Sequence, residues 1–253
     1  MAAFRDQVVV ITGASSGIGR ALALQLAEQE TRLALAARRA GLLEAVAQEC
    51  RQAGARAVAV PTDVGRQEQC RALVERTISH YGRIDMLVND AGISGPALAF
   101  ADMKDLGPLE ESLRINFLGA ANCTYYALPY LKQSRGRIVG VSSLAGRSGI
   151  PNRSAYSAGK HALTGFFDSL RVELVDTGVS VTMIYPDYVT DTEAGAPRGT
   201  LTYDKAASMI LTAAAARKRE VVTSARGKLA LWIKLFAPDV LDRFTQRAAG
   251  KYE

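Results

Sequence analysis

Cysteine and histidine are scarce in this chain. Cys50, Cys70 and Cys123 stand far apart with no C-x-x-C pair, which argues against both a disulfide framework and a zinc cluster. The only histidines, His80 and His161, have no metal-ligand spacing, so no metal-dependent chemistry is expected. Long apolar runs are missing too. The longest stretch without a charge, Ile115 to Leu131, contains Asn116, Asn122, Thr124 and Pro129. It also falls short of the roughly 20 apolar residues that a bilayer crossing needs. Near the N-terminus, Arg5 and Asp6 precede an apolar run of only Val8 to Ile11, which does not read as a secretory signal. A soluble, cytoplasmic protein is expected.

What is present is a core-forming composition. The chain has 253 residues, 48% of them hydrophobic, enough for a substantial buried core and for one domain spanning 1–253. The formal net charge is +6, and it is unevenly placed. Nine basic residues and four acidic ones lie between Arg217 and Glu253, so residues 225–253 read as a basic, partly amphipathic C-terminal extension on a nearly neutral body.

Short β-branched runs alternate with longer helical patterns. Gln7–Thr12, Arg32–Ala37, Ala55–Pro61, Ile84–Asn89, Arg137–Ser143, Val179–Tyr185 and Glu220–Ser224 read as strands, most of them apolar almost throughout. Ile18–Gln29, Leu42–Ala53, Gln67–Tyr81, Leu109–Leu131, Ala155–Asp176 and Tyr203–Arg217 read as helices. This alternation predicts an α/β fold: a doubly wound parallel β-sheet of about seven strands, with helices on both faces and ligands at the strand carboxyl ends.

After the first strand comes Thr12-Gly13-Ala14-Ser15-Ser16-Gly17-Ile18-Gly19, leading into a helix. The glycines let the backbone approach a pyrophosphate, and the helix start offers free N–H groups and the positive end of its dipole. Gly13, Ser15, Ser16, Gly17, Ile18 and Gly19 are therefore expected on a dinucleotide. The second strand ends Ala36-Ala37-Arg38-Arg39, without the acid that grips a ribose 2′-hydroxyl. Two guanidiniums suit a 2′-phosphate instead, so Arg38 and Arg39 point to NADP. Further on, Ser143 closes a strand, and Tyr156 and Lys160 lie four apart on one helical face. An ammonium beside a phenol favours its ionised form and brings proton exchange nearer to neutral pH.

Together these elements resemble the short-chain dehydrogenase/reductase family over the first ~225 residues. The resemblance rests on Thr12-Gly13-x-x-x-Gly17-x-Gly19, Asp63-Val64, Asn89-Asp90-Ala91-Gly92, Asn116, Ser143, Tyr156-x-x-x-Lys160 and Pro186-x-x-Val189, in that order. It implies a Rossmann fold and NADPH-linked interconversion of a ketone or aldehyde with its alcohol. Tyr156 would be the acid/base. Lys160 would lower its pKa and bind the nicotinamide ribose, and Ser143 would orient the carbonyl. Asn116 is similar to the residue that holds a relay water. Asp63 and Val64 would flank the adenine, Asp90, Ala91 and Gly92 would pass along the cofactor, and Val189 would meet the carboxamide. Two positions depart from the family pattern. Asp90 stands where it usually has Asn. Asp187 stands where it usually has a glycine, which reaches backbone angles that aspartate adopts less readily. Thr190 and Thr192 also bracket the slot of the family's usual threonine, which Asp191 fills.

Substrate choice is expected in Asp187–Thr202 and in the C-terminal extension, whose run Leu229 to Phe236 holds the only tryptophan, Trp232. That run reads as a helix covering the cleft or an oligomer interface, or alternatively as a peripheral membrane contact. Either way a hydrophobic substrate is implied. β-Ketoacyl reduction on a carrier protein, and a non-catalytic dinucleotide-binding role on lipid, are the competing readings. A homodimer or homotetramer is expected from the resemblance, and no nucleic-acid motif is present.

Overall fold

Residues that are apolar on both faces of a strand must be covered on both faces, and this sequence supplies the cover. The computed structural model describes residues 3–192 and 200–249. Its strands are β1 (Val8–Thr12), β2 (Arg32–Ala37), β3 (Arg56–Pro61), β4 (Met86–Asn89), β5 (Arg137–Val141), β6 (Ser180–Tyr185), β7 (Val189–Thr190), β8 (Leu201–Thr202) and β9 (Glu220–Val222). Seven of them form one parallel sheet in the order β3-β2-β1-β4-β5-β6-β9. The fold is the Rossmann-like α/β arrangement that the strand–helix alternation predicts. The pair β7–β8, which the strand pattern does not foretell, stands apart from that sheet.

Alternate residues of each strand feed opposite cores. Val9 and Ile11 join Leu33, Leu35 and Val139 on the face covered by α1 (Gly17–Ala27), α2 (Ala40–Gln52) and α7 (Tyr203–Ala215). Val10 and Ala34 join Leu87, Ile138 and Met183 on the other face, under α3 (Gln67–Tyr81), α5 (Gly119–Ser134) and α6 (Ser154–Glu173). Each large side chain buried this way contributes about 1.5–3 kcal/mol relative to exposure. The registers Thr12↔Ala36, Thr12↔Asn89 and Asn89↔Gly140 align the strand carboxyl ends in one row. The chain order reverses about β1 and β4, the place where such sheets open a crevice.

One helical expectation is revised. Leu109–Leu131 is not one uniform helix: α4 (Gly107–Ser112) passes through a widened π turn at Leu113–Leu118 into α5. That turn carries Asn116, in keeping with the tendency of π turns to mark functional positions. The C-terminal extension is two helices, α8 (Ala225–Phe236) and α9 (Pro238–Ala249). The break falls at Ala237 because Pro238 lacks an N–H and suits only the first turn of a new helix. Leu231 packs on the core, whereas Leu229, Trp232, Leu235 and Phe236 are exposed, so this apolar stripe does not cover the cleft. Of Asp187–Thr202, residues 193–199 lie outside the described residues, as do 250–253 of the tail.

Candidate active site

A cleft of about 610 Å³ follows the carboxyl ends of the strands. At its first wall the chain leaves β1 at Thr12 and turns at Gly13 with φ +77°. A Cβ on Gly13 would come within 2.9 Å of the Ala91 nitrogen, so this turn admits only glycine. The Thr12 hydroxyl accepts hydrogen bonds from Asp90 N–H and Ala91 N–H, both at 3.1 Å, fastening the glycine loop to the segment after β4. The Ser16 side chain makes no capping bond to α1, and the first turn of that helix carries no acid. Its N–H groups therefore suit a pyrophosphate, and a dinucleotide fits this cradle.

The second strand delivers the arginines to the same cleft. Arg38 and Arg39 both line it, next to Ala37. Arg39 Nη2 donates to Ser15 Oγ at 3.3 Å and Ser16 Oγ at 3.1 Å, which holds its guanidinium across the loop entrance. Asp63 and Val64 line the neighbouring wall, with Asp63 Oδ1 accepting from Gly65 N–H at 2.9 Å.

Ser143 stands just beyond β5, and Tyr156 and Lys160 project from the first turns of α6 into the cleft. Ser143 and Tyr156 line the same end of the cleft. Burial pushes the Tyr156 phenol above its ordinary value, opposed by the neighbouring Ser143 hydroxyl and by the Arg153 guanidinium. Resemblance to the family leads one to look to Lys160 for this opposing influence, but its ammonium is engaged elsewhere. Lys160 is buried, its Nζ donates to the Val141 carbonyl at 3.0 Å, and it stands 5.9 Å from the centre of the Tyr156 ring. Burial pushes Lys160 down to about 8, and the carboxylate of Asp90 counteracts part of that. Desolvation pushes Asp90 up to about 7, against the pull of Lys160 and of the neighbouring Gly19 N–H. Asp90, half-buried, and Lys160, buried, are thus an acid–base pair spanning the two ends of the site.

Asn116 and Gly19 do not line the cleft. Gly19 is buried at the start of α1. The Asn116 carboxamide is engaged three times: Oδ1 accepts from Ile93 N–H at 2.9 Å, and Nδ2 donates to Ile93 C=O at 2.9 Å and Ser112 Oγ at 3.0 Å. It braces the segment that carries Ala91 and Gly92. On the far side, Pro186, Asp187 and Val189 line the cleft. Asp187 is not among the residues with positive φ, so the backbone there is open to any L-residue and the missing glycine costs nothing. Its carboxylate accepts from Ser224 Oγ at 2.8 Å and from Arg226 Nη2 at 2.9 and 3.0 Å, tying the start of α8 to the cleft. Tyr203, the first residue of α7, also lines the cleft, with its ring about 3.6 Å from where a Gly17 Cβ would stand. Nothing in the local sequence signals it, because only packing of α7 against α1 brings it there.

Residues 7–200 match the family model for short chain dehydrogenases. The chain belongs to the short-chain dehydrogenase/reductase family. It is 36% identical over 260 residues to 11-beta-hydroxysteroid dehydrogenase A of Sesamum indicum, a match covering 93% of this chain and 73% of that protein. It is 42% identical over 184 residues to 11-beta-hydroxysteroid dehydrogenase-like 4A of Arabidopsis thaliana, covering 72% of this chain. The match spans about 61% of the length of that curated relative. Among solved structures, a short chain dehydrogenase/reductase from Burkholderia phymatum in complex with NAD superposes with a TM-score of 0.85. It covers 95% of this chain and 96% of that one at 24% identity, a likeness of fold. An alcohol dehydrogenase from the archaeon Thermococcus sibiricus, complexed with 5-hydroxy-NADP, gives a TM-score of 0.79 at 27% identity, covering 87% of this chain and 97% of that one. One of these two solved structures thus holds NAD and the other 5-hydroxy-NADP.

Proposed function

We propose that this protein is an NADP(H)-dependent oxidoreductase that interconverts a ketone or aldehyde with its alcohol, on a hydrophobic substrate. The observation that carries the reading is the meeting of Ser143, Tyr156 and Lys160 at one end of the cleft that the glycine loop opens at the other. Arg38 and Arg39, with no acid at the end of β2, support the 2′-phosphate and hence NADP over NAD. Gly13, Ser15, Ser16, Gly17 and Ile18 would hold the pyrophosphate, Asp63 and Val64 the adenine end, and Ala91, Gly92 and Val189 the nicotinamide half. When bound, the nicotinamide supplies or accepts the hydride.

The residues of this chain supply the proton and the positioning. Burial raises the Tyr156 phenol above its ordinary value, so it holds its proton more firmly, which suits a general acid toward a carbonyl oxygen. The Ser143 hydroxyl, which lines the same end of the cleft, shares the same oxygen and polarises the carbonyl. As the phenol gives up its proton, the Arg153 guanidinium favours the phenolate left behind, and Lys160, held by the Val141 carbonyl, would bind the nicotinamide ribose. Asn116 holds the backbone of the 91–93 segment and so fixes the floor under Lys160. In the alcohol-oxidising direction the same phenolate takes the proton.

The name of the Sesamum indicum relative, a hydroxysteroid dehydrogenase, supports an apolar alcohol or ketone as substrate. Exposed Leu118 and Tyr125 near and on α5, and Val172 on α6, support a homo-oligomer formed through these helices. A cytoplasmic setting accords with this chemistry. Among the described residues no helix is long and apolar enough to cross a membrane.

Two measurements test the proposal. NADPH should raise the thermal midpoint more than NADH at equal concentration, and Arg38→Ala or Arg39→Ala should erase the difference. Tyr156→Phe should lose carbonyl reduction by at least about a hundredfold, the typical share of a general acid, while keeping the NADPH-induced stabilisation. Turnover by Tyr156→Phe at the wild-type rate would refute the mechanism. A stronger response to NADH would refute the cofactor assignment.

A further inference from the structure

The two C-terminal helices leave an apolar face open. On α8, Leu229, Trp232 and Phe236 follow i, i+3, i+7 spacing with Leu235 beside them, one continuous stripe along the helix. These four side chains are between 60% and 74% exposed. The Trp232 and Phe236 rings stack on each other, with centroids 5.7 Å apart, which fixes them as a flat aromatic plate. The opposite side of α8 is already used: Gly227 is buried against Leu144, and Leu231 packs on the core. On α9, Leu241 is buried while Val240 and Phe244 are exposed. Apolar side chains are therefore present on both sides of this helical pair, and only one side has a partner.

The charges around this face decide what partner it fits. Lys228 lies within the α8 stripe, and Arg243 and Arg247 share the exposed face of α9 with Val240 and Phe244. Among the described residues none of the three is held by a carboxylate. A second copy of the chain would bring these cations onto their own images, and the cores of protein interfaces are depleted in charge, lysine above all. A face of Trp, Phe and Leu edged with Lys and Arg has instead the chemistry of the bilayer interface, where aromatic rings enter the headgroup region and cations meet anionic lipid.

We infer that the α8–α9 face is a docking surface for anionic membranes. It sits beside the mouth of the cleft, because Asp187, which lines the cleft, holds the start of α8 through Ser224 and Arg226. A docked molecule therefore carries its cleft within one or two helical turns of the lipid. The surface stands whatever compound the cleft takes, and its test needs no turnover.

Trp232 is the only tryptophan, so its emission reports on this face alone. The full chain is titrated with vesicles of phosphatidylcholine and with vesicles of phosphatidylcholine and phosphatidylglycerol, and pelleted with each. The expected result is a blue shift and co-sedimentation with the anionic vesicles, weakened by salt. Lys228→Ala, Arg243→Ala and Arg247→Ala should each weaken partitioning by about fivefold. Leu235→Glu with Phe244→Glu should abolish it while leaving the dinucleotide-induced stabilisation intact, which shows that the variant is folded. An unchanged emission with the protein left in the supernatant overturns the inference. So does equal binding to both vesicle types. A lipid-free blue shift that grows with protein concentration as a dimer forms also overturns it and assigns the face to a second copy.

Discussion

Asp187→Ala tests whether the C-terminal helices are fastened to the active-site cleft by electrostatics. The Asp187 side chain is only 10% exposed, and its two oxygens receive Arg226 Nη2 at 2.9 and 3.0 Å and Ser224 Oγ at 2.8 Å. Arg226 is 57% exposed, so water recovers most of its solvation when the carboxylate is removed and the ion pair by itself contributes no more than about 1 kcal/mol. The Ser224 hydroxyl still accepts from Gly227 N–H at 2.9 Å after the substitution, which keeps the cap of α8 and limits the loss. Charge-assisted hydrogen bonds contribute about 1.5–3 kcal/mol each before such compensation. The expected net cost is therefore about 2 kcal/mol, or a fall of about 4–8 °C in the thermal midpoint for a chain of this size. Arg226→Ala leaves a nearly buried carboxylate with one hydroxyl partner and should cost a similar amount. The double variant should cost less than the sum, with a coupling of about 1 kcal/mol. Calorimetry or thermal unfolding of the four proteins measures this directly. A midpoint within 1 °C of wild type for Asp187→Ala, on the order of the resolution of two independent sites adding freely, would refute the reasoning.

Other predictions follow from the same geometry. Gly13→Ala should abolish dinucleotide-induced stabilisation, because the φ of +77° and the 2.9 Å approach to Ala91 N leave no room for a methyl group; retained binding would contradict the phosphate cradle. Asp90→Asn removes the anion that holds the Lys160 pKa up against burial, so Lys160 should lose its proton at a pH still lower than about 8. If protonated Lys160 is required, the alkaline limb of kcat/KM moves toward acid. An unmoved limb between pH 6 and 10 would show that this amine does not govern the rate. Tyr203→Ala should weaken cofactor binding severalfold with little change in the pH profile, measured by dinucleotide titration, since the ring lies on the glycine loop and not at the reacting end.

Much of the site was legible in the sequence because its parts are local. The glycine loop, the arginine pair after β2 and the Tyr156–Lys160 spacing each depend on residues within one strand, turn or helix, where periodicity and backbone sterics act directly. Strand and helix positions came within a few residues for the same reason, and Arg32–Ala37 and Gln67–Tyr81 match the structure to the residue. The less legible parts are those made by distant segments meeting. Tyr203 reaches the cleft only through helix packing. Asn116 shows its three hydrogen bonds only when the π turn faces the loop at Ile93. The aspartate at 187 reads in sequence as a departure from glycine, yet in the fold it is an anchor for a helix that begins 38 residues later.

By itself, then, the sequence determined the parallel sheet, the family, the glycine loop and the side chains of the candidate site, since these follow from local backbone preferences and from residue type at fixed spacing. The tertiary structure decided what those side chains experience. It placed Asp90 and Lys160 in one desolvated cleft and displaced both pKa values toward neutrality, raised that of the Tyr156 phenol through burial, and turned the apolar stripe of α8 outward instead of over the cleft. Desolvation and the direction of a helical face depend on every element packed around a residue, and no window of sequence contains that information.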